Sequence, residues 1–133
     1  MLRMVDQIGK ELVFEKTPKR IVSLVPSQTE LIVDLGLHER LIGITKFCIH
    51  PEDLRIEKAI VGGTKQVHYD QIADLNPDII LCNKEENTEE MVAQLEAIAP
   101  VHVSDICTLN DTLDLIRQYG AVFDVQKKAE VLA

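Results

Sequence analysis

Four short stretches of this chain carry side chains that could do chemistry. Cys48-x-His50 places a thiol and an imidazole two residues apart, the one soft-metal suggestion in the sequence. Two ligands do not complete a zinc site, which takes three or four. A small enzyme working through Cys48 and His50 is one reading of the pair. Ser27 follows an apolar run as a nucleophile would, but it lacks the G-x-S-x-G elbow and no His or Asp is placed to activate it. It reads instead as a helix N-cap. Gly62-Gly63-Thr64-Lys65 shares residue types with phosphate loops without their G-x-x-x-x-G-K-[ST] spacing. Lys84-Glu85-Glu86 is a charge run set between an apolar stretch and Asn87. None of these is a catalytic signature. Together they are the donors, cations and acids that hold a polar small molecule.

These residues must be positioned by regular elements, and the hydrophobic pattern supplies them. Glu11 to Glu15 predicts a short edge strand. Ile21 to Val25 is a continuous β-rich apolar run, as in a strand buried on both faces. Pro26 ends it, and Ser27 stands three residues before Glu30, the spacing of a capping box. Leu31, Ile32 and Leu35 continue at helical intervals, with Gly36 as a left-handed cap. Strands follow over Leu41 to Thr45, Ala59 to Val61, Asp78 to Cys82 and Val101 to Val103. Between them the spacing predicts an irregular stretch over 46–58 and a short helix from Tyr69 to Leu75. A helix over Thr88 to Ile98 takes Asn87 as its N-cap and Glu90 as its box partner. Thr108, with Asp111 three residues on, opens a helix that turns Leu109, Leu113, Ile116 and Phe123 inward. Gly120 and Asp124 mark an interruption, after which Val125 to Ala133 resumes as a helix with no cap, Gly or Pro at its end.

Regular alternation of buried strands with helices implies an α/β, Rossmann-like parallel sheet with helices on both faces. In such a sheet ligands bind beyond the carboxyl ends of the strands. The loops at those ends are Pro26-Ser27-Gln28, Lys46 to His50, Gly62 to Lys65, Asn83 to Asn87 and Ser104-Asp105. They should gather on one rim. Gly62-Gly63 would let backbone approach a ligand there, and His68 and Tyr69 would lie close by. Cys82 reads as a small core residue, His102 as a satisfied, partly buried histidine, and His38 as a surface turn residue.

Composition narrows the function classes. The chain has 133 residues, enough for one domain with its own core. A net charge of −8 with no Lys/Arg cluster argues against nucleic acid as a partner. Three cysteines, Cys48, Cys82 and Cys107, form no disulfide framework. There is no membrane-length apolar run, and the first residues have no apolar signal core, so the sequence leaves both cytoplasmic and exported locations open.

The stretches Arg20-Ile-Val-Ser-Leu-Val-Pro-Ser-Gln-Thr-Glu30, Val61-Gly-Gly-Thr64, Ile72-Ala-Asp-Leu-Asn-Pro-Asp-Ile-Ile80 and Asn83-Lys-Glu-Glu-Asn87 together resemble the helical-backbone (class III) periplasmic binding proteins. That class includes the cobalamin- and ferric-siderophore-binding components of ABC importers. The resemblance implies two Rossmann-like lobes joined by a long helix, with ligand held between them and no chemistry done on it. It implies that residues 1–124 form the N-terminal ligand-binding lobe and that 125–133 begin the joining helix, the second lobe being absent from the chain. The implied ligand is a metal chelate such as a corrinoid, haem or ferric siderophore, and the implied location is periplasmic or cell-surface. The ligand-facing residues would be Pro26, Ser27, Phe47, Cys48, His50, Gly63, Thr64, Lys65, Lys84, Glu85, Glu86 and Asn87. Asp70 would dock onto arginines of the ABC permease, at a position where the family usually has Glu. Thr64 stands where the cobalamin binder places an aromatic, which leaves Phe47 as the ring on this wall. No cofactor is implied. The alternative reading is a free-standing sensor or interaction domain that dimerises through the face a second lobe would cover.

Overall fold

The computed structural model describes residues 2–46, 58–63 and 66–132. Five short strands form one wholly parallel sheet: β3 (Ile21–Ser23), β4 (Leu41–Ile44), β5 (Ala59–Ile60), β6 (Ile79–Asn83) and β7 (Val101–Ser104). Their spatial order is β5-β4-β3-β6-β7. The chain winds outward from β3 in one direction, then crosses to build β6 and β7 on the other side. The topological switch point therefore lies between β3 and β6.

Helices α1 (Pro26–Asp34), α2 (Tyr69–Asp74), α3 (Glu89–Glu96), α4 (Leu109–Val122) and α5 (Gln126–Leu132) complete the layers. The alternation of side chains along each strand sorts the core into two halves. Ile21, Ile79 and Leu81 lie under α1, α4 and α5, while Val22, Ile80, Cys82, Val101 and Val103 lie under α2 and α3. This is the doubly wound α/β sheet that the apolar runs predict.

The sequence places several element ends wrongly. The predicted strand over Glu11 to Glu15 does not join the main sheet. It is β2 (Glu11–Phe14), paired antiparallel with an unpredicted β1 (Leu2–Val5) in a separate hairpin whose Leu12 and Phe14 pack on the α1/α4 side. The turn of that hairpin closes the outer edge of β7. Gln7 N donates to the Val103 carbonyl (3.2 Å), and Val103 N donates to Asp6 Oδ2 (3.1 Å).

Ser27 does not cap α1. Pro26 occupies the first helical turn, where its fixed φ suits a helix start, and the N-cap is Val25 with no side-chain cap bond. Asn87 does not cap α3 either: Thr88 does, its hydroxyl accepting from Met91 N at 3.1 Å. The Gly36 cap is as expected. Its φ is +78°, and Leu37 N reaches back to the Ile32 carbonyl at 3.1 Å. The Thr108–Asp111 capping box is present in full. Leu109, expected inward, is 74 % exposed, since it sits at the first helical position and α4 turns Leu115, Ile116, Tyr119, Val122 and Phe123 to the core instead.

Gly120 is no interruption. It lies inside α4, where a Cβ would come within 2.5 Å of the Ala129 Cβ on α5. The glycine lets the two helices touch. The turn between them is made at Asp124, at φ +58°.

Candidate functional site

Because the sheet is wholly parallel, every strand delivers its following loop to the same edge, and each helix that runs back starts there. Pro26 and Ser27 follow β3, Gly63 follows β5, and Lys84, Glu85, Glu86 and Asn87 follow β6. Ser104 and Asp105 end and follow β7. The described parts of these polar turns lie on one edge, as the sequence predicts. Phe47, Cys48, His50, Thr64 and Lys65 lie outside the described residues.

Beneath this rim runs a buried polar network that spans the switch point. Ser104 on β7 is fully buried, and its hydroxyl donates to the Cys82 carbonyl at 3.2 Å. The same oxygen accepts from Asn83 Nδ2 on β6 (3.0 Å) and from Gln28 Nε2 on α1. Gln28 is 1 % exposed, and its remaining amide oxygen accepts from the exposed Ser27 hydroxyl at 2.8 Å. Leaving that oxygen unpaired would cost about 1–3 kcal/mol, so the contact is held. Further back, Thr29 Oγ1 donates its one proton to the Val25 carbonyl (3.0 Å) and lies 2.8 Å from Ser23 Oγ.

The loop after β6 is built by side chain to backbone bonds. Asn83 Oδ1 accepts from Glu85 N (2.8 Å) and Glu86 N (3.1 Å), an Asx turn. Lys84 N donates to the Ser104 carbonyl at 2.9 Å, and Lys84 Nζ lies 3.7 Å from Asp105 Oδ2. Asn87 is buried rather than ligand-facing. Its Oδ1 accepts from Asn83 N at 2.9 Å and so closes the loop from below. Lys84, Glu85 and Glu86 are exposed on the rim.

Gly62 has a local reason to be glycine. At φ +131°, a Cβ would lie 2.5 Å from the Gln66 carbonyl oxygen and 2.7 Å from Val67 Cα. Its backbone bridges to Val67, and Gly63 N donates to the Gln66 carbonyl at 2.8 Å. These contacts within the turn require a glycine here.

Beside the loop, Val67, His68 and Tyr69 face Thr88, the N-cap of α3, and Glu90 and Met91 within it across a groove of about 390 Å³. The Tyr69 hydroxyl is pushed up in pKa by burial and then by the Glu90 charge. Asp70 is exposed in the first turn of α2, next to this groove.

Titratable groups elsewhere do not form a reactive centre among the described residues. Burial drives the Cys82 thiol up to about 12, so it stays a protonated core residue. The neighbouring Asp105 carboxylate raises the Cys107 thiol. No cluster of three or more His, Cys, Asp or Glu suited to a metal occurs among them, and none of their helices is long and apolar enough to cross a membrane. His102 departs from expectation. It is fully buried, with Nε2 2.7 Å from Gln118 Oε1, but Nδ1 finds no partner among the described residues. The Tyr119 hydroxyl is orphaned likewise, and the two rings meet edge-on at 5.2 Å.

The sequence places Gln28 and Ser104 on the rim loops but hides that both are buried beneath it and that they meet, since their contact joins positions 76 apart.

Comparison with known proteins agrees with this architecture. The chain is 28 % identical over 132 residues to an uncharacterized ABC transporter substrate-binding lipoprotein of Bacillus subtilis, covering 96 % of this chain and 41 % of that protein. It is 30 % identical over 115 residues to a vitamin B12-binding protein of Pectobacterium carotovorum, covering 85 % and 41 %. A periplasmic haem-binding protein from Pseudomonas aeruginosa superposes with a TM-score of 0.79 at 28 % identity, covering 86 % of this chain and 41 % of that one. The chain thus spans about two-fifths of the length of the curated relatives it matches. A family model described as periplasmic binding protein matches residues 21–133, from the first strand of the parallel sheet through α5, and the chain belongs to that family.

Proposed function

We propose that this chain forms one wall of the ligand cleft in the solute-binding component of an ABC importer, and that its guest is a metal chelate: a corrinoid, haem or a ferric siderophore. The observation that carries this reading is the gathering of Pro26, Ser27 and Lys84 to Glu86 at the switch point of a parallel sheet, with Gly63 on the same edge, in a chain of this family. In the proposed site, Ser27, Lys84, Glu85 and Glu86 meet polar groups of the guest, and Phe47, Cys48, His50, Thr64 and Lys65 complete the wall. Asn87 and Gln28 support it from below.

Binding involves no covalent step, so the protein is a carrier and not an enzyme. Residues 1–124 are the ligand-binding lobe, and 125–133 open the interlobe helix. The proposed setting is the periplasm or cell surface. Asp70, exposed beside the α2–α3 groove, is the proposed contact for a basic residue of the permease.

Calorimetric titration with dicyanocobinamide, haemin and ferrioxamine B tests the reading. Binding of one of them, weakened at least tenfold by the double change Lys84→Ala and Ser27→Ala, is the expected result. Heats of dilution alone for all three, at protein concentrations near millimolar, would remove it.

A further inference from the structure

The N-terminal hairpin contributes no residue to the proposed wall, yet one of its side chains is built into the rim. Gln7 lies in the turn between β1 and β2 and is half-buried. Its amide oxygen accepts from Asp105 N at 2.9 Å. Its amide nitrogen donates to the Asp111 carbonyl at 2.8 Å and to Asp114 Oδ2 at 3.3 Å. A backbone N–H can only donate and a carbonyl can only accept, so the amide has one orientation. The turn that carries it is itself anchored on β7. Gln7 N donates to the Val103 carbonyl, and the buried Asp6 carboxylate accepts from Val103 N, Ile8 N and Lys10 N.

What Gln7 holds is the loop that leaves β7 on the rim. Gln7 fixes Asp105 N, and the Asp111 carboxylate fixes the N–H groups of Cys107 and Thr108, both at 3.0 Å. Gln7 also grips Asp111 by its carbonyl, so both ends of the loop are tied to the hairpin turn. The loop presents Asp105, whose side chain is 26 % exposed and lies 3.7 Å from the ammonium of Lys84, itself 60 % exposed. An ion pair this open contributes little to stability. It does bias a long side chain with many rotamers toward one place on the rim, and that ordering then precedes the guest instead of accompanying it. The Lys84 backbone is held separately, its N–H donating to the Ser104 carbonyl. Loss of the Gln7 contacts therefore loosens the partner of the ammonium and leaves the loop after β6 in place.

We propose that Gln7 is a positioning residue for the rim: through Asp105 it sets where the Lys84 ammonium stands, so the hairpin turn tunes guest binding without touching the guest. The inference rests on the reading of Lys84 as a guest contact and goes beyond it in giving the hairpin a part in binding.

The test has two arms, run in dilute buffer because salt screens an exposed pair. Gln7→Met keeps the side-chain length and removes its hydrogen-bonding end. Arg20→Ala is the control, loosening the opposite edge of the sheet, where the Arg20 side chain bonds the Leu75 and Asn76 carbonyls. The first arm needs no guest. A carbodiimide couples Lys84 to Asp105 as an amide, and the cross-linked peptides are quantified by mass spectrometry. Gln7→Met should lower that yield severalfold, and Arg20→Ala should leave it unchanged. The second arm is calorimetric titration with whichever of dicyanocobinamide, haemin and ferrioxamine B the unaltered chain binds. Gln7→Met should weaken binding about threefold to tenfold, but less than about twofold when Lys84→Ala is already present, because the two changes remove one contact. A merely structural role would cost the same affinity with or without Lys84, and that result overturns the proposal. So does an unchanged cross-linking yield in Gln7→Met, or an equal loss of affinity in Arg20→Ala. If the unaltered chain binds none of the three, the chelate reading itself fails and this inference falls with it.

Discussion

Two buried polar groupings flank β7, and they are built in opposite ways. At its carboxyl end Gln28, Asn83 and Ser104 join three elements with each buried donor matched to an acceptor. On the α4 side of the same strand His102 and Tyr119 bury polar atoms and leave Nδ1 and the phenol oxygen without partners among the described residues. The first grouping lies under the rim, where precise loop placement matters to a guest. The second lies in the core, where the two rings contribute area and an edge-on aromatic contact. Polar groups under the rim should therefore be worth keeping for stability, and those in the core should be tolerated for the sake of the rings that carry them.

The largest effect that would break this contrast concerns the rings. Tyr119→Ala should lower stability by about 3–5 kcal/mol through lost apolar contact and a cavity, read from urea unfolding. A loss below one kcal/mol would mean that the ring is not a core anchor. Next comes Ser104→Ala, which strands the buried amide nitrogen of Gln28 and the half-buried one of Asn83 and should cost about 1–3 kcal/mol. It should also raise amide exchange at Lys84 to Asn87, and a stable, fully protected loop would show that the network does not hold the rim.

The third effect is on pH dependence. Burial lowers the His102 pKa from 6.5, so the folded state keeps this ring neutral. As pH falls through 6.5 the unfolded chain takes up a proton that the fold refuses, and stability drops by at most about 1.4 kcal/mol per pH unit until the folded pKa is reached. Above pH 6.5 the contribution is flat. His102→Phe should remove this segment of the profile, and its persistence would assign it to another group. Asp111 acts in a separate window. Backbone N–H groups of Cys107 and Thr108 hold its carboxyl below the ordinary 3.8, so its share is lost only as pH falls through that lower range. The smallest effect is Tyr119→Phe, which deletes an orphaned hydroxyl and keeps the ring. It should change stability by less than about 1 kcal/mol, in the stabilising direction. A clear loss on that change would mean that the hydroxyl is satisfied after all.

What the sequence made legible is whatever rests on neighbours along the chain. The apolar runs at Ile21 to Val25 and Asp78 to Cys82 announced buried parallel strands, and the Thr108–Asp111 spacing announced a capping box, because partners three residues apart are visible as spacing. The same rule misled at Ser27 and Asn87. Pro26 and Thr88 were the better starters, and the side chains of Ser27 and Asn87 were engaged elsewhere. Long-range contacts left no trace in any window. Gln28 meets Ser104, and the Asp6 turn meets Val103, across 76 and 97 positions. The rim could therefore be located as a set of loops, while the truss beneath it could not.

The hairpin ahead of the parallel sheet has one more consequence. β7 is the outermost strand on its side, and a bare outer strand is a template on which a second chain can lay its own backbone. Asp6 and Gln7 occupy the hydrogen-bonding positions around Val103 that such a chain would need. The fifteen or so residues that look like a decoration on the domain thus cover the outer edge of β7 against fibre-like stacking, and a shortened form without them would bare that edge together with the core face that Leu12 and Phe14 cover.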